Sequence, residues 1–288
     1  MPSNEIWTIG RILKWTEQYF SRHGIDTPRL DAEVLLSHLL NKKRIYLYVN
    51  FEKPLSNDEL ASYRDFIKRR CNREPVAYIV GEKEFMGLPF AVSPSVLVPQ
   101  PDTETLVGAV MDRLKGEHEE HILDIGTGSG AIILSLLHFM PLLTGTATDI
   151  SSDALDVATA NAVALDVMSR VKFLEGDLIT PIKGSDETFD AIVSNPPYIK
   201  TDEIKTLSPE VQAEPHLALD GGADGLNYYR RIISDAPAFI KDGGFLAFEV
   251  GSEQAKDVIA LAENAGKWSK TEKISDLRGL ARVVILWK

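Results

Sequence analysis

The residues with the clearest chemical purpose are four in a row, Asn195-Pro196-Pro197-Tyr198. They follow an apolar run, Phe189 to Val193, that reads as a buried strand ending at Ser194. Two prolines cannot continue a sheet ladder, so the strand stops and its end becomes a rigid open turn. A turn at the carboxyl edge of a sheet is where open α/β folds bind ligands. The Asn195 side-chain oxygen and the Pro196 carbonyl are both acceptors, suited to the two hydrogens of a planar NH2 group. Tyr198 can stack on the plane of that group. Such a set of residues fits methylation of an amide or of an exocyclic base amine.

A second constellation precedes it. Asp124-Ile125-Gly126-Thr127-Gly128-Ser129-Gly130 has the form of a strand-to-helix turn whose glycines let a ligand approach the backbone. Asp149 lies 23 positions after Gly126, at the end of the next predicted strand, where a carboxylate can accept both ribose hydroxyls of a nucleoside. Gly126-x-Gly128-x-x-Ala131 also satisfies a loose dinucleotide pattern, so the turn alone does not separate NAD from S-adenosylmethionine. The ordered set Asp149, Asp177 and Asn195–Tyr198 favours S-adenosylmethionine. No Cys, Tyr-Lys or His pattern for hydride chemistry accompanies it.

The elements that must position these residues divide the chain in three. Residues 1–74 read as a helical bundle. Thr8 caps a first helix, Thr27-Pro28 starts a second, and Ser56 with Glu59 has capping-box spacing. Residues 75–101 read as a β-hairpin linker built from the runs Val76–Val80 and Pro89–Val92. Residues 102–288 alternate strands and helices, the pattern of a doubly wound, mostly parallel sheet. Predicted strands are 121–125, 144–150, 171–174, 189–193, 245–250 and 283–287, with Ser152 capping the helix after Asp149.

Composition narrows the function classes. The chain has 288 residues, 44% hydrophobic and 25% charged, as expected of a soluble globular protein. No apolar run is long enough to span a bilayer, and the first residues lack a signal-peptide core, so a cytoplasmic location is expected. One cysteine, Cys71, leaves no intramolecular disulfide or cysteine cluster, and no metal site is expected. Net charge is −11, which argues against a protein that grips nucleic acid through its phosphates. Residues 1–75 carry 13 basic and 10 acidic side chains, a balance of +3, and the remainder carries −14. The basic clusters Lys42-Lys43-Arg44 and Lys68-Arg69-Arg70 with Arg73 suit either a solvated helix face or a patch for an acidic partner.

Longer stretches carry a resemblance. They include Arg73-Glu74-Pro75-Val76-Ala77-Tyr78-Ile79-Val80-Gly81, Val96-Leu97-Val98-Pro99, Asp124–Gly130, Asn161-Ala162, Ile192–Ile199, Glu214-Pro215 and Ala218–Leu226. With them the chain resembles the HemK-type protein-(glutamine) N5-methyltransferases (the PrmC family) that modify class-1 peptide chain release factors. The resemblance implies an α/β fold: a seven-stranded Rossmann-like class I methyltransferase domain, a small N-terminal helical bundle that recognises the substrate, and a β-hairpin linker. It implies methyl transfer from S-adenosyl-L-methionine, leaving S-adenosyl-L-homocysteine, to the glutamine amide of a Gly-Gly-Gln motif. Asn195, Pro196 and Tyr198 are then the catalytic residues, and Asn195, Pro196, Pro197 and Tyr198 hold the substrate. Gly126, Thr127, Gly128, Ser129 and Gly130 border the methionine part of the cofactor and Asp149 its ribose. Asp177 and Leu178 border the adenine, with a minor contact from Asn195. The Ala218–Gly225 run shapes the substrate mouth. Two departures stand out: Gln100 and Asp102 replace an arginine and a glutamate, and Glu249-Val250-Gly251 replaces Glu-His-Gly. The rivals are a nucleic-acid amino-methyltransferase using the same turn and a non-enzymatic binding module.

Overall fold

The computed structural model describes residues 6–116 and 118–288. The chain forms two compact units, one of residues up to Gly81 together with Pro209–Ala213, the other of Glu82–Ser208 and Glu214–Lys288.

The first unit contains α1 (Ile9–Arg22), α2 (Pro28–Leu39), α3 (Arg44–Val49), α4 (Asn57–Cys71) and α5 (Val76–Val80). The helix starts follow their capping residues. The Thr8 hydroxyl accepts from the Arg11 amide, Pro28 opens α2, and Ser56 with Glu59 forms a full capping box. The apolar faces meet in a core of Ile9, Ile12, Leu13, Phe20, Leu35, Leu36, Tyr63 and Ile67. Buried Tyr63 donates its hydroxyl to the Ala32 carbonyl at 2.8 Å, so its polar end is satisfied.

Val76–Val80 is a helix, where its β-branched residues predict a strand. Pro75 precedes it, and Gly81 closes it in a left-handed conformation, φ 78°. Ile79 joins the helical core, and that packing outweighs strand propensity. The first unit accordingly runs past residue 74 to Gly81.

The arginines of the basic clusters are neutralised within this unit. Arg44 pairs with Glu33 at 2.6 Å and Arg69 with Glu74 at 2.5 Å. Buried Arg70 pairs with Asp31 at 2.7 Å and Glu210 at 2.8 Å, and Arg73 also reaches Glu210 at 3.1 Å. Lys42, Lys43 and Lys68 are exposed.

The second unit begins with a hairpin of β1 (Glu82–Phe85) and β2 (Leu88–Ala91), so the predicted hairpin exists but starts later than Val76. Its turn residues Met86 and Gly87 both have positive φ, as a tight primed turn requires. Next come α6 (Glu104–Met111), β3 (His121–Ile125), α7 (Ala131–Phe139), β4 (Thr144–Asp149), α8 (Ser152–Ala164), β5 (Val171–Glu175) and β6 (Phe189–Ser194). The short α9 (Pro209–Gln212) belongs with the first unit. The remainder is α10 (Asn227–Asp235), β7 (Ile240–Glu249), α11 (Ala255–Ala265), β8 (Lys270–Ser275) and β9 (Ala281–Trp287). The N-cap of α8 is Ser151, which accepts from the Ala154 amide, and not Ser152.

Seven strands form one sheet in the order β5-β4-β3-β6-β7-β9-β8. Its first five strands are parallel, while β9 runs antiparallel to both β7 and β8. Helices cover both faces. One apolar core holds Val107, Val110, Ile133, Leu137 and Phe245, the other Leu123, Ile192, Tyr229, Phe248 and Val258. Strand order reverses direction between β3 and β6, the switch point at which an open sheet leaves a crevice at its carboxyl edge. The expected seven-stranded Rossmann-like fold with a helical N-terminal region and a hairpin is therefore what the chain adopts. Among the described residues, no helix is long and apolar enough to cross a membrane.

Candidate active site

The glycine turn leaves β3 at this crevice. Gly126 and Gly128 have φ of 72° and 55°, and a Cβ added to either meets nothing within 4 Å. They are required by backbone conformation and leave open space against bare peptide, as a closely approaching ligand needs. The turn is held from below. The amides of Gly126 and Thr127 donate to the Thr148 carbonyl at 2.8 and 3.0 Å, and the Thr127 hydroxyl donates to Asp124 at 2.7 Å. Asp124 is wholly buried, and that burial pushes its carboxyl up to about 7. One of its oxygens has no partner among the described residues. Asp124 thus braces the loop from inside.

Asp149 ends β4 and ties two neighbouring loops. Its carboxylate accepts from the Gly128 amide at 2.8 Å and the Ser151 amide at 3.0 Å. Each oxygen retains a free lone-pair direction. Asp177 and Leu178 follow β5 at the same edge, and Leu178 adopts φ 51°. The Asp177 carboxylate is engaged by Arg231. Asn161, on α8, links the glycine turn to the hairpin. Its amide nitrogen donates to the carbonyls of Ser129 at 2.9 Å and Ala91 at 3.0 Å, while its oxygen accepts from the Ala91 amide at 2.7 Å.

The second turn leaves β6. The Ser194 hydroxyl donates to the Ile125 carbonyl at 2.7 Å, so the ends of β6 and β3 are pinned together. Asn195 donates its amide nitrogen to the Thr103 hydroxyl at 3.2 Å, which leaves its oxygen for another partner. The backbone of this turn is packed against glycines. A Cβ on Gly221 would lie 2.8 Å from the Pro197 carbonyl oxygen, and one on Gly225 would lie 2.4 Å from that of Tyr198. Chain pairing reinforces the contact: the Ile199 amide donates to Leu219 at 3.0 Å and the Gly221 amide to Ile199 at 2.8 Å. The Gln254 amide caps the Tyr198 carbonyl at 2.9 Å.

Together the turns line one cleft of about 230 Å³. It takes in Gly126, Thr127, Gly128, Ser129, Asp149, Asp177, Leu178, Asn195, Pro196 and Pro197, so nearly every residue singled out from sequence converges there. Two do not line it. Gly130 starts α7, where an added Cβ would come within 2.7 Å of Leu134, so its role is close packing. Tyr198 stands behind the turn, half-buried against the core, and burial pushes its hydroxyl up to about 12. Ala218, from the Ala218–Leu226 region, lines the cleft together with its neighbour Leu217, and Gln100 lines it too. Gln100 is tied to its own backbone, its amide nitrogen 3.0 Å from the Val98 carbonyl. Asp102 forms ion pairs with Arg278 at 3.0 Å and Arg282 at 2.9 Å.

The walls fit a methyl donor of the S-adenosylmethionine type: bare glycine backbone, a carboxylate at a strand end, and an apolar slot beside Leu178. The comparisons with known proteins agree. Residues 11–81 match the PrmC N-terminal domain and residues 102–223 the methyltransferase small domain. The release factor glutamine methyltransferase of Geobacter sulfurreducens is 43% identical over 281 residues, covering 97% of this chain and 96% of that protein. Its counterpart in Moorella thermoacetica is 42% identical, covering 92% and 93%. That of Rhodopirellula baltica is 39% identical, covering 98% and 97%. The chain belongs to the release factor glutamine methyltransferase family. Solved structures give the fold. The hMettl16 catalytic domain, in complex with a MAT2A 3'UTR hairpin, matches with a TM-score of 0.57 at 14% identity, over 82% of this chain and 83% of that one. A methyltransferase from Pyrococcus furiosus matches with a TM-score of 0.51 at 21% identity, over 79% and 98%.

Four contributors to this family member's site have no role readable from sequence: Thr103 and Gln254, and Asn161 and Glu214, which stand out only as members of family motifs. Glu214 accepts from the Val98 amide at 2.8 Å, and burial pushes its carboxyl up to about 6. Each acts on a partner far away in sequence, which a local pattern does not reveal.

Proposed function

We propose that this chain transfers the methyl group of S-adenosyl-L-methionine to the side-chain amide nitrogen of a glutamine in release factors. The glutamine is that of the Gly-Gly-Gln motif of class-1 factors. The observation that carries the reading is the orientation of Asn195. With its nitrogen committed to Thr103, its oxygen is the end available to a substrate NH2 group. The Pro196 carbonyl supplies the second acceptor.

The bound cofactor supplies an electrophilic methyl group on a sulfonium. Gly126 to Ser129 border its methionine part, Asp149 its ribose hydroxyls, and Asp177 with Leu178 its adenine. An amide nitrogen is a weak nucleophile because its lone pair is delocalised. Two acceptors holding both N–H bonds aim that nitrogen and favour positive charge on it as the new bond forms, which is positioning combined with electrostatics. Tyr198 packs behind the turn against the core, and Gln254 and the glycines behind it keep the turn rigid. The helical unit selects the protein substrate, since one glutamine in a loop offers little surface compared with the roughly 1,200–2,000 Å² of a specific interface.

Transfer from labelled S-adenosylmethionine should be compared on a full-length release factor, a short Gly-Gly-Gln peptide, tRNA and DNA. The reading expects label on the release factor, slow labelling of the peptide and none on nucleic acid. Label on a nucleic acid alone would replace it with the base-amine reading. Equal rates on peptide and full-length factor would remove substrate selection from the helical unit.

A further inference from the structure

Behind the Asn195 turn lies a buried carboxyl to which the proposed chemistry assigns no role. Glu249 is the last residue of β7 and is only 2% exposed. Its backbone is fixed: the carbonyl accepts the Tyr229 hydroxyl at 2.8 Å, and the residue pairs with Val283 of β9. Its side chain faces the Thr103 hydroxyl, the Asn195 amide and the Tyr198 hydroxyl. One carboxyl oxygen has no hydrogen-bond partner among the described residues.

We propose that Glu249 is a positioning residue that decides which end of the Asn195 side-chain amide faces the substrate. The inference rests on the amide-holding role of Asn195. A hydroxyl has one proton to give, and an ionised carboxylate can only accept. An ionised Glu249 draws the proton of the neighbouring Thr103 hydroxyl toward itself and leaves the Thr103 oxygen to accept, and the Asn195 nitrogen donates to that oxygen at 3.2 Å. The chain of donors therefore points inward and ends on Glu249. Asn195 has to turn its oxygen outward, as an incoming NH2 group requires. Reversing the Asn195 amide would place its oxygen against a hydroxyl whose proton is already committed.

The charged groups facing Glu249 are Asp102, ahead of α6, and Arg282 of β9, which pair with each other at 2.9 Å. Burial is the largest influence on the carboxyl and pushes it up to about 7. The acceptor-only form that polarises the chain therefore grows in as pH rises through that value, and the turnover rate rises with it.

The test compares wild type, Glu249→Gln and Glu249→Ala on a release factor, measuring kcat from about pH 6 to about pH 8.5 with cofactor affinity by calorimetry. Wild type should show a rise centred near pH 7. Glu249→Gln keeps an acceptor for Thr103 and should lose less than about fivefold in kcat, with the rise abolished. Glu249→Ala should lose about ten- to a hundredfold. Both should bind S-adenosylmethionine within about twofold of wild type, because the cofactor side is untouched. A rise that persists in Glu249→Gln overturns the proposal, and so does wild-type kcat in Glu249→Ala. Should the alanine variant fail to fold, the pH profile of Glu249→Gln decides alone. Wild type that leaves glutamine amides unmethylated would refute the reading of the site itself, a result distinct from active wild type with indifferent variants.

Discussion

The two turns that meet in the cleft are built by opposite strategies. The glycine turn is held mainly by the ends of its own and the adjacent strand, with Asn161 of α8 on the Ser129 carbonyl: Asp124 is three residues from Thr127, and Asp149 reaches Gly128 from the adjacent strand end. The Asn195 turn is held by residues scattered along the chain: Thr103 on one side, Gly221, Gly225 and Gln254 behind. The difference fits the tasks. A cofactor needs an open cradle of backbone. An amide nucleophile must be aimed, and aiming needs a rigid backing assembled from several elements.

If that contrast is right, damage to the backing should fall on turnover and leave the cofactor alone. Gly225→Ala should be the most harmful change of this kind. Its φ is +74°, and a Cβ would sit 2.4 Å from the Tyr198 carbonyl oxygen, so the turn itself must move. A displacement of about 1 Å at a reacting group costs on the order of a hundredfold. Steady-state kinetics should show that loss in kcat, with the dissociation constant for S-adenosylmethionine nearly unchanged. Parallel losses in both would erase the distinction between the two turns.

Asp149→Ala attacks the other side. Loss of hydrogen bonds to a charged group costs about 1.5–3 kcal/mol, or roughly ten- to a hundredfold in affinity. Calorimetric titration should show that weakening, while kcat at saturating cofactor falls much less. Because Asp149 also holds the amides of Gly128 and Ser151, part of the loss comes from a looser turn. An unchanged dissociation constant would remove Asp149 from the cofactor site.

The smallest effect concerns the brace. The folded Asp124 carboxyl is pushed above its ordinary value of 3.8 to about 7, so the native state binds the proton more tightly than the unfolded chain. Stability from this group is then present at low pH and is lost as pH rises from about 4 through about 7. Asp124→Asn keeps an acceptor for Thr127 without the titration. Its melting temperature should fall less between pH 5 and pH 8 than that of wild type, by on the order of 3 °C. Equal pH dependence in the two proteins would mean that Asp124 is ionised in the folded state.

The same contrast governs what could be read from sequence. Ser194 is legible because an apolar run ends on it, Asp149 because it ends the next predicted strand after the glycine turn, and that turn because its spacing is local. The alternation of strands and helices gave the doubly wound sheet. Lys270–Ser275 escaped notice as a strand because it is a polar edge strand with no buried alternating face; its partner β9 supplies the apolar side. Val76–Val80 misled because β-branched residues favour strands in isolation, while Pro75, Gly81 and the helical core decide the outcome. The basic clusters suit either a solvated helix face or a patch for an acidic partner, and acidic residues, from five to 39 positions away, neutralise arginines in them. In the site, Glu249 was visible only as part of a motif; its contact with Asn195 depends on two strands lying side by side.

The central claim is that Asn195 aims a glutamine amide at the methyl donor. Mass spectrometry of a digested release factor, after a single turnover at saturating S-adenosylmethionine, tests it most directly with wild type and Asn195→Ala side by side. The account predicts one methyl group on the Gly-Gly-Gln glutamine side chain with wild type. It predicts a rate lower by about a hundredfold or more with Asn195→Ala, although that variant still binds the cofactor. Methylation of the same glutamine by Asn195→Ala at near wild-type rate, or a methyl group placed by wild type on any other residue, would contradict it.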